Sequence, residues 1–338
     1  MIALNHEKVI SALTSLGDFF RQPDAGWQEL SVRVQNRNPW FTPEQVNRAT
    51  AGLAAMLRGP DIRTWVEGIR ITDKPRQVGM ILAGNIPMVG LHDLLCVLAT
   101  GHHAQVKLSS SDDLLLPYVV NQLISAEPAF AGRVQYVERL QGFDAVIATG
   151  SNNSSRYFDY YFGKVPNIIR KNRNSVALLT GHESDAELAA LGDDIFAYFG
   201  LGCRSVSKLL VPEGYDFGAF FRAIEIHQPI INHFKYNNNY DYNKSIYLVN
   251  LVPHLDNGFL LVKEDEALAS PLAVLYYSHY QQADDAVSQL QQAQENIQCI
   301  VTAEQQGALP VIPFGRSQQP RLWDYADNID TTAFLAGL

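Results

Sequence analysis

The stretch that decides the fold is residues 78–109, VGMILAGNIPMVGLHDLLCVLATGHHAQVKLS. It begins with a short apolar run that ends in glycine, VGMILAG, and it closes with a second strand-like run, AQVKLS. Short apolar runs between turn residues are typical of buried strands, and the longer segment between them has the length of a helix. The stretch therefore predicts a strand–helix–strand unit of a parallel sheet.

The same alternation continues on both sides of this unit. Towards the carboxyl terminus we predict a helix around 114–124, strands at 133–137 and 143–150, and a helix at 156–162. Towards the amino terminus, residues 6–70 are predicted to be helical. Thr42, Pro43 and Gln45 supply an N-cap, a first-turn proline and a capping-box partner for a helix through 46–57.

The pattern restarts at Ser175 with the strand-like run SVALLTG, followed by a predicted helix at 185–199. Four further strand-like runs follow in the order SKLLVPEG, GFLLV, PLAVLYY and IQCIV, with helices among them. Repeated strand–helix alternation favours parallel sheets with crossover helices. We therefore predict an α/β protein with a helical flank and a first lobe in residues 1–175, and a second lobe from 176.

Composition limits the classes of function. The 338 residues carry a formal net charge of −9, with acidic and basic residues scattered along the chain, which argues against a basic face for nucleic acid. The start MIALNHEKVI carries charges where a signal peptide needs an apolar stretch, and no later run is long enough to span a membrane. A cytoplasmic protein without nucleic-acid partners or membrane insertion is predicted.

Cys203 is the candidate nucleophile among three cysteines that show no disulfide or zinc-site spacing. It follows Gly200 and Gly202 between a predicted helix and a predicted strand, whereas Cys96 and Cys299 lie in apolar runs. Arg204 and Lys208 lie close enough in sequence to lower the pKa of the Cys203 thiol. A structural cysteine remains the alternative.

Several polar residues follow the predicted strands, where open parallel sheets bind ligands. An Asn85 amide after the first strand could donate to an oxyanion, although an asparagine is also common in turns. Lys107 and the run Thr149-Gly150-Ser151 could hold a phosphate, although each taken separately is better explained as a solvated lysine and an ordinary helix start. The run KYNNNYDYN at 235–243 could line a polar groove, but an ordinary loop and helix cap is the simpler interpretation.

Together these pieces resemble the aldehyde dehydrogenase superfamily. Five short motifs occur in its order: Asn85-Ile86-Pro87, Lys107-Leu108-Ser109, Thr149-Gly150-Ser151, Gly200-Leu201-Gly202-Cys203 and Pro313-Phe314-Gly315. The resemblance implies two Rossmann-like lobes, a catalytic one at 176–309, with residues 310–338 returning to the first lobe. It also implies a set of cofactor-binding residues: Lys107, Ser109, Ser110, Thr149, Gly150 and Ser151.

Two departures from the family pattern carry information. The glutamate that activates water in the family aligns with 170–174, RKNRN, which has no carboxylate. The second functional glutamate falls near 268–271, LASP, with Glu264 and Glu266 out of register. A chain that keeps the cysteine and lacks the general base is similar to the LuxC type of acyl-CoA reductase. Its short length implies that the family's oligomerisation hairpin is reduced or missing, which leaves a homodimer open.

The resemblance implies a reduction of acyl-CoA, or another acyl thioester, to an aldehyde through an S-acyl-Cys203 intermediate, with Asn85 and the Cys203 backbone N–H at the oxyanion. Ser110 stands where NAD-preferring relatives often carry glutamate, so NADPH is expected, with NADH as the alternative. No metal is implied. Acyl transfer without redox chemistry and a non-catalytic binding protein remain the rival interpretations.

Overall fold

The computed structural model describes residues 3–150, 152–303 and 309–338. The chain divides into two compact units. Unit 1 comprises residues up to Asn172 together with Gln319–Leu338, and unit 2 comprises Arg173–Gln318. The sequence pattern restarts at Ser175, and the segment after 310 was expected in the first lobe. The structure keeps residues 310–318 in unit 2.

Unit 1 opens with four helices: α1 (His6–Arg21), α2 (Ala25–Val34), α3 (Pro43–Met56) and α4 (Gly59–Glu67). The predicted helical flank is therefore confirmed. The predicted cap of α3 is also present, because the Thr42 hydroxyl accepts the Gln45 N–H at 3.3 Å.

The sheet of unit 1 contains five parallel strands in the order β3-β2-β1-β4-β5. Its elements in chain order are β1 (Gln77–Ile81), α5 (Leu91–Ala99), β2 (His103–Lys107), α6 (Leu115–Ala126), β3 (Val134–Tyr136), β4 (Ala145–Thr149), α7 (Asn152–Phe162) and β5 (Asn167–Arg170). The pattern did not predict β5, since this strand is only four residues long, NIIR. The backbone N–H and C=O groups of β5 are hydrogen-bonded through its parallel pairing with β4.

The sheet of unit 2 contains six strands in the order β11-β6-β7-β10-β9-β8, parallel except for β8 and β9. Its elements are β6 (Asn174–Leu178), α8 (Asp185–Phe196), β7 (Val206–Pro212), α9 (Phe217–Ile224), α10 (Phe234–Val249), β8 (Leu255–Asp256), β9 (Leu261–Glu264), β10 (Val274–Tyr280), α11 (Ala283–Gln292) and β11 (Ile297–Val301). A core of buried aliphatic and aromatic side chains joins α8 and α9 to β7 and β10.

Two predictions in unit 2 need correction. The run 235–243, interpreted as a loop and helix cap, lies inside α10 because Tyr236, Tyr240 and Tyr247 recur at helical spacing and are buried. Helix α8 ends at Phe196 instead of 199, because Tyr198 and Phe199 adopt positive φ angles. Among the described residues, no helix is long and apolar enough to cross a membrane.

A buried ion pair connects separate elements of unit 1. Arg170 at the end of β5 donates to both carboxylate oxygens of Asp93 in α5, at 2.7 and 3.0 Å. The same guanidinium donates to the Thr331 hydroxyl at the start of α12 (Thr331–Ala336). It also donates to the Ala326 carbonyl, which precedes this helix in the chain. One buried cation thus joins the sheet, a crossover helix and the C-terminal segment.

Replacing Asp93 by leucine should lower the free energy of unfolding by about 3–5 kcal/mol, because the buried Arg170 loses the carboxylate to which it is hydrogen-bonded and keeps only Asp327, at 3.9 Å. The double variant Asp93→Leu/Arg170→Leu should lose less than the sum of the two single variants. Urea unfolding followed by circular dichroism measures both. As a control, Asp18→Ala breaks the exposed pair with Arg21 and should cost less than about 1 kcal/mol. Additive losses at Asp93 and Arg170 would show that the two side chains act separately.

Candidate active site

Cys203 lies in a turn of unit 2 between α8 and β7 that begins with three successive left-handed residues. Tyr198, Phe199 and Gly200 have φ angles of 52°, 59° and 79°. For a non-glycine residue this conformation costs on the order of 1 kcal/mol or more, and such strain concentrates at functional sites. The Phe199 ring packs on His233 with centroids 4.3 Å apart, which helps to hold the strained backbone in place.

Side-chain hydroxyls on both sides fix the cysteine in the turn. The Ser175 hydroxyl at the start of β6 donates to the Cys203 carbonyl at 2.9 Å. The Ser205 N–H donates to the Gly202 carbonyl at 2.9 Å, and the Ser205 hydroxyl to the Ala197 carbonyl at 3.3 Å. Cys203 is half-buried, whereas Cys96 and Cys299 are buried. Of the three cysteines, Cys203 is therefore the least buried residue.

The two cations expected to act on Cys203 have other partners. Arg204 donates to the Cys299 sulfur and to the Ser317 carbonyl, both at 3.2 Å. Lys208 is buried in β7, and its ammonium group donates to the Asp265 carbonyl. Burial lowers the pKa of Lys208, which the neighbouring acidic residues partly offset. Both cations stabilise unit 2, and a lowered pKa at Cys203 stays an expectation.

A buried carboxylate holds the segment of the Pro313-Phe314-Gly315 motif. Asp194 in α8 accepts the Gly315 N–H at 2.6 Å and the Ser317 N–H at 2.9 Å. Burial raises the pKa of Asp194, whereas these hydrogen bonds act in the opposite direction. Because Arg204 also binds the Ser317 carbonyl, one short segment is tied both to α8 and to the cysteine turn.

In unit 1, the candidate cofactor residues gather at the carboxyl edge of the sheet. Lys107 ends β2 and is exposed, Asn85 follows β1 and is exposed, and Thr149 ends β4. Strands β2 and β4 lie on opposite sides of β1 in the sheet. From β1 the strand order runs to β2 and β3 on one side, and it then reverses to β4 and β5 on the other side. This reversal is the topological switch point at which open parallel sheets bind their ligands.

Two glycines at this edge have no room for a side chain. A Cβ on Gly84 would lie 2.5 Å from the Ser109 hydroxyl, and a Cβ on Gly150 would lie 2.7 Å from the Phe158 ring. Backbone therefore packs directly against the loop after β2 and against α7. Ser109 is half-buried and Ser110 is exposed on that loop, while Ser151 lies outside the described residues.

Asp112 joins the loop after β2 to the Asn85 turn. Its carboxylate accepts the Met88 N–H at 2.7 Å, and Met88 has a left-handed φ of 57°. Burial raises the pKa of Asp112 to about 7, the nearby Asp113 carboxylate adds to the rise, and the Met88 N–H opposes it. The outer side of the same loop is held by Arg37, which pairs with Asp113, and by Asn38, which donates to the Ser111 carbonyl at 3.3 Å.

Solved structures of aldehyde dehydrogenases superpose on this chain along most of its length. KauB from Pseudomonas aeruginosa has a TM-score of 0.63 and 13% identity over 88% of this chain and 72% of its own. An indole-3-acetaldehyde dehydrogenase in complex with NAD⁺ has a TM-score of 0.64 and 14% identity over the same shares. An NADP-dependent enzyme from E. coli has a TM-score of 0.64 and 13% identity over 90% of this chain and 75% of its own.

The chain has the aldehyde dehydrogenase fold. The predicted fold class is therefore confirmed. No family model and no curated protein matches the sequence, so the structural likeness concerns the fold alone. Within this fold, the LuxC-type resemblance and the individual site residues remain predictions from the motifs.

Several residues that hold the candidate site residues of each unit were not predicted from the sequence. Asp112, Ser175 and Asp194 each act on backbone far away in the chain. Asp112 follows a run of serines, and this composition is also that of an ordinary N-terminal helix cap, so the sequence gives little sign of its contact with Met88. No local pattern specifies which distant N–H group such a carboxylate accepts.

Alkylation with iodoacetamide should modify Cys203 at least about tenfold faster than Cys96 or Cys299, because the latter two thiols are buried. Peptide mass spectrometry after short exposure of the native protein measures the three rates. In guanidinium the three cysteines should react alike, which is the control. Equal rates in the native protein would contradict an accessible Cys203.

Asp112→Asn should remove a pH dependence of stability. A carboxyl group whose pKa rises on folding stabilises the native state at low pH, and this contribution is lost as the pH rises from about 4 through about 7. The wild type should therefore lose stability relative to Asp112→Asn as the pH rises from 5 to about 7, by about 1.4 kcal/mol for each pH unit, and the difference should level off by pH 8. The asparagine oxygen can still accept the Met88 N–H.

Urea unfolding of both proteins at pH 5 and pH 8 gives this difference, and titration of all other groups cancels between them. A constant difference across this range would show that Asp112 does not titrate there.

Proposed function

We propose that the protein is a nicotinamide-dependent reductase that converts an acyl thioester, with acyl-CoA as the substrate class, into an aldehyde. The observation that carries the proposal is Cys203, the best exposed of the three cysteines, on a strained and hydrogen-bonded turn of an aldehyde dehydrogenase fold. A thiol held on a fixed turn has the position that nucleophilic catalysis requires.

In this proposal the Cys203 thiolate attacks the carbonyl carbon of the thioester. The backbone N–H of Cys203 donates to the oxyanion, and the sequence-based role of Asn85 as a second donor belongs to the same proposal. The bond between the carbonyl carbon and the CoA sulfur breaks, and CoA leaves as a thiolate that takes a proton from solvent. The acyl group is then bound to the Cys203 sulfur.

The segment 170–174 supports reduction over hydrolysis of this S-acyl enzyme. It contains no carboxylate that could activate water, and its first residue is the buried Arg170 that holds Asp93 and Thr331. An arginine in an ion pair cannot serve as a general base. An S-acyl-Cys203 that is not hydrolysed remains available for reduction.

The carboxyl edge of the unit 1 sheet fits a dinucleotide. The edge contains the switch point between β1 and β4, and Lys107 offers a cation at the neighbouring strand end. We assign Lys107 to the adenosine ribose and the Thr149-Gly150-Ser151 motif to the pyrophosphate. Exposed Ser110 brings no negative charge against a 2′-phosphate, which favours NADPH over NADH.

When bound, the nicotinamide supplies the hydride that reduces the acyl carbon. The role of Cys203 is then to leave: the carbon–sulfur bond of the resulting thiohemiacetal breaks, the hydroxyl proton is lost, and aldehyde and thiolate separate. Cys203 thus returns to its starting state without a water molecule entering the reaction.

The decisive experiment follows NADPH or NADH absorbance with purified protein and acyl-CoAs of increasing chain length. Oxidation should require acyl-CoA, be faster with NADPH, and fall below detection in Cys203→Ala. Asn85→Ala should lower kcat by about 10²–10³-fold if its amide stabilises the oxyanion. Asp18→Ala on α1 changes none of the proposed site residues; it is the matched control and should keep full activity.

Intact-protein mass spectrometry separates the alternatives. Acyl loading on Cys203 without nicotinamide oxidation would replace the proposal by acyl transfer. If neither loading nor oxidation occurs with any acyl-CoA, the non-catalytic interpretation is correct and the proposal is wrong.

A further inference from the structure

Strand β11 shifts its register at the position of Cys299. Where β11 pairs with β6, its two residues Gln298 and Cys299 together lie opposite a single residue, Ser175. The pairing of β6 with β7 is also irregular next to this serine. An extra residue in a strand changes the direction of a neighbouring side chain, and such bulges are frequent beside active sites. The direction of the Cys299 side chain is therefore set by the bulge.

Ser175 connects the strand of Cys299 to the turn of Cys203. Its backbone lies in β6, which is placed between β11 and β7 in the sheet. Its hydroxyl donates to the Cys203 carbonyl at 2.9 Å, and the residue is fully buried. Because neighbouring strands lie about 4.8 Å apart, one serine separates the Cys203 backbone from the strand of Cys299.

A guanidinium group connects the two cysteines along a second route. Arg204 follows Cys203 directly in the chain, and its side chain donates to the Cys299 sulfur at 3.2 Å. A cationic donor at a sulfur favours the thiolate, which is the form that attacks an oxidised sulfur. Cys299 is buried, yet it has the electrostatic environment of a reactive thiol.

Cys96 has the opposite environment. It is completely buried in α5, and this burial raises the pKa of its thiol well above the usual range. The nearby Asp93 carboxylate adds to the rise, and the Arg170 cation opposes it. A thiol that stays protonated is a poor nucleophile, so Cys96 serves as an internal reference for a purely structural cysteine.

We propose that Cys299 is a resolving thiol for Cys203, and that a peroxide converts the two into an intramolecular disulfide. The Cys203 thiolate attacks one peroxide oxygen, the O–O bond breaks, and the released hydroxide takes a proton as water. The Cys299 thiolate then attacks the sulfur of the resulting sulfenic acid, the S–O bond breaks, and a second water is formed. The two sulfurs together give two electrons to the peroxide, and an external dithiol returns them.

The turn can supply the movement that this bond requires. The Cα atoms of a disulfide lie about 4.4–6.8 Å apart, so Cys203 has to move towards β11. Gly200 and Gly202 precede it and permit backbone conformations that other residues resist. Tyr198 and Phe199 are held in left-handed conformations, and a rearrangement of the turn releases this strain.

A resolving thiol protects a reactive cysteine from irreversible damage. A sulfenic acid that meets more peroxide becomes a sulfinic acid, which thiols do not reduce, whereas a disulfide is reversible. The disulfide also withdraws the Cys203 sulfur from any substrate until a dithiol restores it. This inference requires only the two thiols and a peroxide, so it does not depend on the proposed reduction of acyl thioesters.

Peptide mass spectrometry of the full chain after exposure to hydrogen peroxide tests the proposal. The wild type should contain a disulfide between Cys203 and Cys299 of one chain, and dithiothreitol should restore both thiols. In Cys299→Ser, which keeps a side-chain acceptor for Arg204, sulfinic acid at Cys203 should accumulate at least about tenfold above the wild type. Cys96→Ser is the matched control and should form the disulfide as the wild type does.

Arg204→Gln tests the donor at the sulfur without removing either thiol. Loss of the cation should slow disulfide formation and raise the yield of sulfinic acid at Cys203. Circular dichroism before oxidation shows that each variant is folded. A wild type whose Cys203 stays reduced, or forms sulfinic acid as readily as in Cys299→Ser, would overturn the proposal, as would a disulfide that joins two chains. No nicotinamide oxidation is measured, so such a result leaves the reductase proposal untouched.

Discussion

The buried pair between Arg170 and Asp93 is the interaction on which unit 1 depends. Removing two charges from water is costly, and the cost is offset here because the guanidinium has hydrogen-bond acceptors on several sides. These acceptors come from α5, from the loop before α12 and from Thr331, so the same cation that ends β5 also fixes the C-terminal segment. The position of β5 next to β4, and with it the edge that carries Thr149, follows from this arrangement.

The turn of Cys203 relies on a different principle. Its backbone is held in an unfavourable conformation at Tyr198 and Phe199, and packing of Phe199 on His233 together with hydrogen bonds from Ser175 and Ser205 offset the strain. A relaxed helix that continued from α8 to residue 200 would carry the cysteine in a different direction. The strain is thus the reason that the thiol lies on a turn between helix and strand.

The sequence predicted the elements of this fold wherever hydrophobic periodicity was strong. The unit at 78–109, the helical flank and the restart at Ser175 all correspond to elements of the structure, because burial of one face dictates these patterns. Short β5 and the end of α8 could not be predicted in this way, since β5 depends on pairing with β4 and the end of α8 on strain. The run 235–243 was misjudged because its asparagines suggested a loop, whereas its buried tyrosines determine a helix.

For the candidate site, sequence motifs indicated the residues on strand ends and on the cysteine turn, but not those that hold them. Cys203 stood out because two glycines precede it, and Asn85 because it follows a strand. Asp112 and Asp194 gave no such signal, because a carboxylate that accepts a distant backbone N–H can be recognised only when the tertiary contact is known. Arg204 was expected to act on Cys203, and its bonds to Cys299 and Ser317 depend on β11 and on a segment more than one hundred residues away.

The division of the chain also determines the order in which the two units can be completed during synthesis. Unit 2 is one continuous stretch, whereas unit 1 is interrupted by it and resumes at Gln319. During synthesis on the ribosome, every residue of unit 2 has therefore been made before the partners of Arg170 at Ala326 and Thr331 exist. Until then, the Arg170 cation has Asp93 but not its remaining acceptors. The first unit to begin is thus the last to be completed, and the nascent chain must keep an unfinished helix–sheet layer from aggregating while the inserted unit folds.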